Sequence, residues 1–400
     1  MGTYEGVINP VTAEYFNRVL TDAQEAGAAA VVLRLDTPGG LDTSMRLIIK
    51  DITASPIPVI VYVAPSGGRA ASAGVFILYS AHIAAMAPGT NVGAAHPVAM
   101  GGGEMDAVMK AKVENDAAAY IKSIAEKRGR NVKWAEDAVR KSVSVTEKEA
   151  LSLKVIDLIA DDVPSLLSAV DGREIVTGAG KVVLRTKGAR LKESPMGWRL
   201  EALKALSDPN IAFILMTLGT IGLLAELYNP GAILPGIVGA ISLILAFYSL
   251  QTLPINYAGV LLLLLGIVLF ILEIKVMSYG LLSLGGIASM VLGALLLVKT
   301  DAPFLKVSMS VIIPTVVTFG ALLMVVVGMA VKSQLRRPVT GPEGMVGSIA
   351  VAKTDLAPRG KVFLQGEIWD AVSEEPIREG EEAEVKAVAG LTLTVRPHRK

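Results

Sequence analysis

The chain has 400 residues, is 52% apolar and has a mean hydropathy of +0.53, too apolar for an ordinary soluble enzyme, so part of it belongs in lipid. Its 38 Lys and Arg against 37 Asp and Glu leave a net charge of +1, so no global charge points to nucleic acid or to an acidic substrate. With no cysteine and only His82, His96 and His398, scattered in sequence, disulfides, thiol catalysis and a spaced Cys or His metal site are excluded; no cofactor or metal is expected, and chemistry falls to hydroxyls, amines and carboxylates.

The opening MGTYEGVINP has no charged segment followed by an apolar run, so no signal peptide is visible. A strand is expected over Tyr4–Ile8, then a helix opened by Thr12 with Phe16, Val19, Leu20 and Ala23 on one face. Ala30–Leu35 and Ile57–Val63 are short β-branched runs bounded by Gly, Pro and Asp, which suits parallel strands covered on both faces, with Leu41–Ala54 as the helical crossover. Ala107–Arg128 reads as a long alanine-rich helix, and Thr146–Glu149 as a capping box. The alternation predicts an α/β domain over residues 1–173 with right-handed crossovers and one parallel sheet.

Residues 174–209 are expected to form a short strand pair and an amphipathic approach to the membrane. Apolar stretches at Ile211–Tyr228, Ala232–Leu250, Leu253–Leu272, Val276–Val298 and Val307–Val331 approach the length that crosses a bilayer, so residues 210–332 read as five spans interrupted only by Glu226 in the first. Alternatively, the first two form a re-entrant pair around Asn229-Pro230-Gly231. Flanking basic residues are balanced, five against four, and do not set orientation. Residues 340–398 change to a period of two, with Val362 and Leu364, then Ala383, Val385 and Ala387, then Leu391, Leu393 and Val395 pointing inward, as in a small all-β barrel. Counted from Val339 to Lys400, eight basic against ten acidic residues make it a poor nucleic-acid binder, and a protein-docking module fits better.

Two segments at successive strand ends could carry chemistry. Asp36-Thr37-Pro38-Gly39-Gly40 is either a strand-to-helix turn or a pair of bare backbone amides suited to an oxyanion. Ala70-Ala71-Ser72-Ala73-Gly74 puts a hydroxyl among small residues at a helix start; Ser72 is either an N-cap or a group poised where negative charge is favoured. In an open parallel sheet the carboxyl ends of neighbouring strands converge on one crevice, which favours the functional reading of the pair.

DTPGG and AASAG, followed by AMAPGTNVGAAHPV at Ala85–Val98, resemble the Clp/crotonase-type fold of NfeD-type membrane proteases and of signal peptide peptidase A. The order of protease domain, membrane block and OB-like barrel is similar to long-form NfeD proteins over essentially the whole chain. The resemblance implies a membrane serine endopeptidase with Ser72 as nucleophile and Lys112 as base, because Lys112 precedes Tyr120-Ile121-Lys122 as the family's lysine does. It also implies an oxyanion hole from Gly39, Gly40 and Ala73. Lys110 and His96 are alternative bases, the latter backed by Asp161 or Asp162. Further implied are a peptide substrate and a stomatin-like membrane partner. A homo-oligomer in a prokaryotic plasma membrane is expected, with the protease domain outside and the barrel in the cytoplasm if a signal peptide was removed, and the opposite if none existed. Where related proteins tend to carry Gly before Val-Ile-Asp this chain has Lys154, which puts the turn into Val155 in question.

Overall fold

A computed structural model describes residues 1–98, 106–228, 231, 233–251, 255–276, 278, 280–298, 306–334 and 342–398. The chain divides into two compact units, Met1–Thr318 and Phe319–Lys400.

The first unit opens with β1 (Gly2–Glu5), α1 (Pro10–Glu25), β2 (Val31–Asp36), α2 (Asp42–Ala54) and β3 (Val59–Val63). It continues with β4 (Arg69–Ala71), α3 (Ala73–Ser80), β5 (Ile83–Met86), β6 (Asn91–Gly93), α4 (Ala107–Arg128), α5 (Val132–Arg140), β7 (Ser144–Thr146), α6 (Glu147–Ser152), β8 (Leu158–Ile159) and α7 (Val163–Val170). A five-stranded parallel sheet runs β1-β2-β3-β5-β8. Every residue of β3 is buried, as expected of a strand covered by helices on both faces. Each fully buried Val, Leu or Ile contributes about 1.5–3 kcal/mol relative to exposure.

Two expectations need correction. α1 opens at Asn9, not Thr12: Thr12 is the third helical residue, its N–H donating to Asn9 Oδ1 (3.0 Å) while its hydroxyl receives the Asn9 N–H (3.2 Å). The sheet is not alone either. β4, β6 and β7 form a second, three-stranded sheet whose strands, three residues each, are too short to show a period in sequence. In addition, the strand pair β9 (Glu174–Thr177) and β10 (Gly180–Val183) is followed by a segment that folds back on α1. There Tyr15 donates to Ser194 O (2.7 Å), Arg18 to Pro195 O and Met196 O, and Lys204 of α8 (Trp198–Leu206) to Glu5 O.

Four apolar helices follow: α9 (Pro209–Tyr228), α10 (Leu234–Gln251), α11 (Tyr257–Lys275) and α12 (Leu281–Leu296); α13 (Met309–Gln334) comes next and ends in the second unit. Among the described residues no single helix is long and apolar enough to cross a membrane by itself, and the bent pair Trp198–Leu206 with Pro209–Leu223 meets that test by length and composition. The second unit holds a closed barrel of β11 (Ile349–Ala352), β12 (Arg359–Leu364), β13 (Glu367–Ser373), β14 (Glu382–Ala389) and β15 (Thr392–Pro397), ordered β11-β12-β13-β15-β14. Val362, Leu364, Ala383, Val385, Leu393 and Val395 fill its core as expected. Ala387 and Leu391 do not: a register shift after Val385 turns Ala387 outward and brings Val388 against the core, and Leu391 sits exposed before β15.

At the junction of α4 and α5, Arg130 is buried and donates to Tyr79 O, Ala81 O and Asp157 Oδ2 (2.6 Å). Beside it His82 is buried and accepts the Val59 N–H on Nδ1 (3.2 Å); burial first, then Arg128, Arg130 and Lys127, push it down to about 3. The unfolded chain takes up that proton near 6.5, so the contribution is complete above that pH and is lost as pH falls from 6.5 towards 3, at roughly 1.4 kcal/mol per unit. His82→Asn keeps an acceptor for Val59, and is expected to flatten the decline in melting temperature between pH 7 and pH 5. Lys154 lies at φ +57, the left-handed conformation that glycine adopts freely. Lys154→Gly is accordingly expected to stabilise the domain by about 0.5–1 kcal/mol in denaturant unfolding.

Candidate active site

The DTPGG turn runs alongside β4. Thr37 N–H donates to Arg69 O (2.8 Å), Ala71 N–H donates back to Thr37 O (3.0 Å), and Asp36 Oδ1 accepts the Arg69 N–H (2.9 Å). On its other side, Ile8 N–H donates to Gly39 O and Leu41 N–H to Ile8 O, both at 2.8 Å. The turn is thereby locked between Ile8 and β4. Gly39, at φ +113, lies so close to Ser72 that a Cβ there would stand 2.6 Å from Ser72 Cβ and 3.1 Å from its Oγ. Gly74 is small for a matching reason, since a Cβ would come 2.6 Å from Thr37 Cγ2.

Ser72 occupies the N-cap position of α3, yet its side chain makes no capping hydrogen bond. Its backbone is at φ 52, ψ −115, a sparsely populated conformation that costs of order 1–3 kcal/mol. The Ser72 N–H holds it there by donating to Gly93 O (3.3 Å) and Ala94 O (3.2 Å). The structure thus leaves the N-cap reading without its hydrogen bond. Of the three amides expected around the hydroxyl, Gly39 N–H donates to the buried Thr37 Oγ1 (3.0 Å), whereas Gly40 N–H and Ala73 N–H have no acceptor among the described residues.

A groove of about 540 Å³ opens over Ser72 and Ala73. Leu41, Met45, Phe76, Val98, Met109 and Val113 give it apolar walls, and Gly40 and Lys112 also line it. Met109, Lys112, Val113, Asp116 and Ala117 recur at helical spacing, so one face of α4 forms a wall. Lys110 is two residues from Lys112, about 200° round the helix, and does not line the groove. His96 does not line it either: its Nδ1 is 2.9 Å from Val139 O. Asp162 caps α7 by accepting the Ser165 N–H (2.7 Å), and hydrogen bonding from the Ser165 side chain first, then its backbone, lowers the carboxyl below the usual range. Lys112 itself is exposed in the single chain.

Sequence reasoning missed the groups that hold the α4 wall. Arg46 of α2 donates to Asp42 (2.8 Å) and to Asp116 (2.6 Å) and stacks over Tyr120 at 4.3 Å, while Arg140 of α5 reaches Glu114 and Asn115. Arg46 and Asp116 are seventy positions apart, and no local pattern links them.

Residues 4–167 match the family model of the NfeD1b N-terminal domain, residues 210–329 the NfeD integral membrane domain, and residues 342–397 the NfeD-like C-terminal, partner-binding domain. A relative described as membrane-bound protease PH1510, from Pyrococcus horikoshii, is 35% identical over 99% of this chain and 92% of its own length. The chain belongs to the NfeD family. Membrane protein NfeD1b of Bacillus subtilis is 31% identical over 96% of this NfeD chain and 89% of its own. A solved structure described as the 1510-N membrane protease specific for a stomatin homologue, from P. horikoshii, is 33% identical, covers 52% of this chain and 96% of that one, and has a TM-score of 0.46.

In this NfeD chain, a methyl group at position 39 would collide with Ser72 Cβ. Gly39→Ala is expected to slow labelling of Ser72 by a serine-reactive fluorophosphonate about 100-fold, the scale of a 1 Å misplacement. Gly188→Ala, at another positive-φ glycine with open space around it, should leave the rate unchanged.

Proposed function

We propose that this chain is a membrane-bound serine endopeptidase of the Clp/crotonase type, with Ser72 as nucleophile and Lys112 as general base. The observation that carries the reading is the contact of Gly39 with a strained Ser72 whose hydroxyl is not spent on capping, in a groove that Lys112 also lines. The name of the PH1510 relative, a membrane-bound protease, supports it.

In this reading neutral Lys112 Nζ takes the Ser72 proton as Oγ attacks the scissile carbonyl carbon. The oxyanion settles on Gly40 N–H and Ala73 N–H, with Gly39 N–H joining once it leaves Thr37. Collapse breaks the C–N bond, Lys112 returns the proton to the leaving amine, and water then releases the acyl group by the same path. A lysine accepts a proton only when neutral, and its ordinary pKa of about 10.4 must fall by burial. Because Lys112 is exposed in the single chain, a bound substrate or a second copy supplies the dry surroundings.

The apolar walls suit apolar peptide segments. By its description the 1510-N relative is specific for a stomatin homologue, so a stomatin-like membrane protein is the substrate and partner we infer, docked through the barrel at 340–398. Residues 1–173 form the protease domain, 174–209 the approach and 210–332 five spans, with the protease domain extracytoplasmic and the barrel cytoplasmic.

Ser72→Ala should abolish cleavage of an apolar peptide by the intact protein. Lys112→Ala should lower kcat by about 10²–10⁴, against little change for Lys110→Ala or His96→Ala. Wild-type kcat/KM should rise with pH between about 6 and 9; a flat profile, or full activity of Lys112→Ala, excludes Lys112 as base.

A further inference from the structure

The membrane region contains a symmetry that its leucine-rich composition conceals. α9 and α10 pack antiparallel, as do α11 and α12, and the two hairpins superimpose in sequence at a constant offset of 47 residues. Gly219 pairs with Gly266, Glu226 with Glu273, Gly239 with Gly286 and Ser242 with Ser289. Coincident leucines would carry no weight here; coincident glycines and a coincident glutamate do.

The contacts repeat with the residues. A Cβ on Gly219 would lie 2.7 Å from Leu243 Cγ and 3.0 Å from Gly239 O. On Gly266, a Cβ would lie 2.6 Å from Met290 Cγ and 2.8 Å from Gly286 O, and Met290 and Gly286 are the 47-residue counterparts of Leu243 and Gly239. Gly239 faces Leu223, and Gly286 faces Phe270, again counterparts. Ser242 and Ser289 are both buried.

Each glutamate ends the first helix of its hairpin and reaches across the turn. Glu273 accepts from Ser278 Oγ (2.6 Å), Gly280 N–H (3.0 Å) and Ser283 N–H (3.0 Å), which satisfies amides at the start of α12 that have no partner within the helix. Glu226 accepts from Gly231 N–H (3.1 Å) and touches Gly236, where a Cβ would stand 2.9 Å from Glu226 Cγ. Gly231 and Gly236 are the counterparts of Ser278 and Ser283. With glycine at position 231 in place of serine, the counterpart of the Ser278 hydroxyl is missing, and Glu226 Oε2 is buried without a hydrogen-bond partner among the described residues.

We infer that the membrane region is a tandem repeat of one carboxylate-clamped helical hairpin, inserted twice with the same polarity, and that Glu226 and Glu273 are the groups that close its two turns. An even number of helices separates equivalent points, so both turns lie on one face of the bilayer and the start of α11 on the other. This inference is independent of the peptidase reading.

The chain has no cysteine, so single cysteines can be introduced into the full-length protein directly. Ile233→Cys and Val276→Cys mark the two turns and Tyr257→Cys the start of α11, all at exposed positions. In sealed vesicles treated with a membrane-impermeant maleimide, positions 233 and 276 are expected to label from one side and position 257 from the other. Turns that label from opposite sides, or a turn that labels with position 257, overturn the repeat. In the same vesicles Glu273→Ala should speed labelling at position 276 by about tenfold or more, as expected for loss of hydrogen bonds to a carboxylate, and leave position 233 unchanged. Glu226→Ala should do the converse with a smaller factor; if neither substitution alters its own turn, the carboxylates are not the clamps.

Discussion

The site depends on the close approach of the Gly39 backbone to the Ser72 side chain. No side chain fits between them, and the approach holds because hydrogen bonds lock the DTPGG turn on both edges, to Ile8 on one side and to β4 on the other. The Ser72 N–H is tied in turn to the carbonyls of Gly93 and Ala94. Four segments distant in sequence thus fix one hydroxyl in a backbone conformation that the serine would not adopt alone. The strain is borne by surrounding hydrogen bonds, as at sites where a side chain must be presented and not packed.

The opposite wall of the groove is held differently. The first three turns of α4, which carry Lys112, are exposed or half-buried, and the buried residues of that helix begin at Ala117. Arg46 and Arg140 grip α4 at Asp116 and at Glu114 and Asn115, just where burial starts. Exposed ion pairs contribute little, typically below about 1 kcal/mol each. One wall is therefore fixed by backbone hydrogen bonds and the other by exposed ion pairs.

The hairpins show how an apolar region can be specific with few polar contacts. Glycines let the paired helices approach until backbone touches backbone, and in the second hairpin Glu273 accepts from free amides at the start of the returning helix. The segment before them, by contrast, is fastened to the N-terminal domain through Tyr15, Arg18 and Lys204, so it does not behave as a loose tether.

Local patterns sufficed where the physics is local. The buried strands, the span of α4 at Ala107–Arg128, the Thr146 capping box and the barrel's alternation were legible in sequence, because burial imposes a period of two or 3.6 and capping acts within three residues. The second sheet, the outward turn of Ala387 and the Arg46–Asp116 pair were not, since three-residue strands, a bulge and a long-range ion pair leave no periodic trace. The sequence by itself determined that Gly39-Gly40 follow one buried strand, that Ser72 stands among small residues beyond the next, and that lysines follow on a helix. Only the tertiary structure decided that Gly39 touches Ser72 and that Lys112, not Lys110, faces the groove, because helical phase is set by which residues the helix buries against its neighbours.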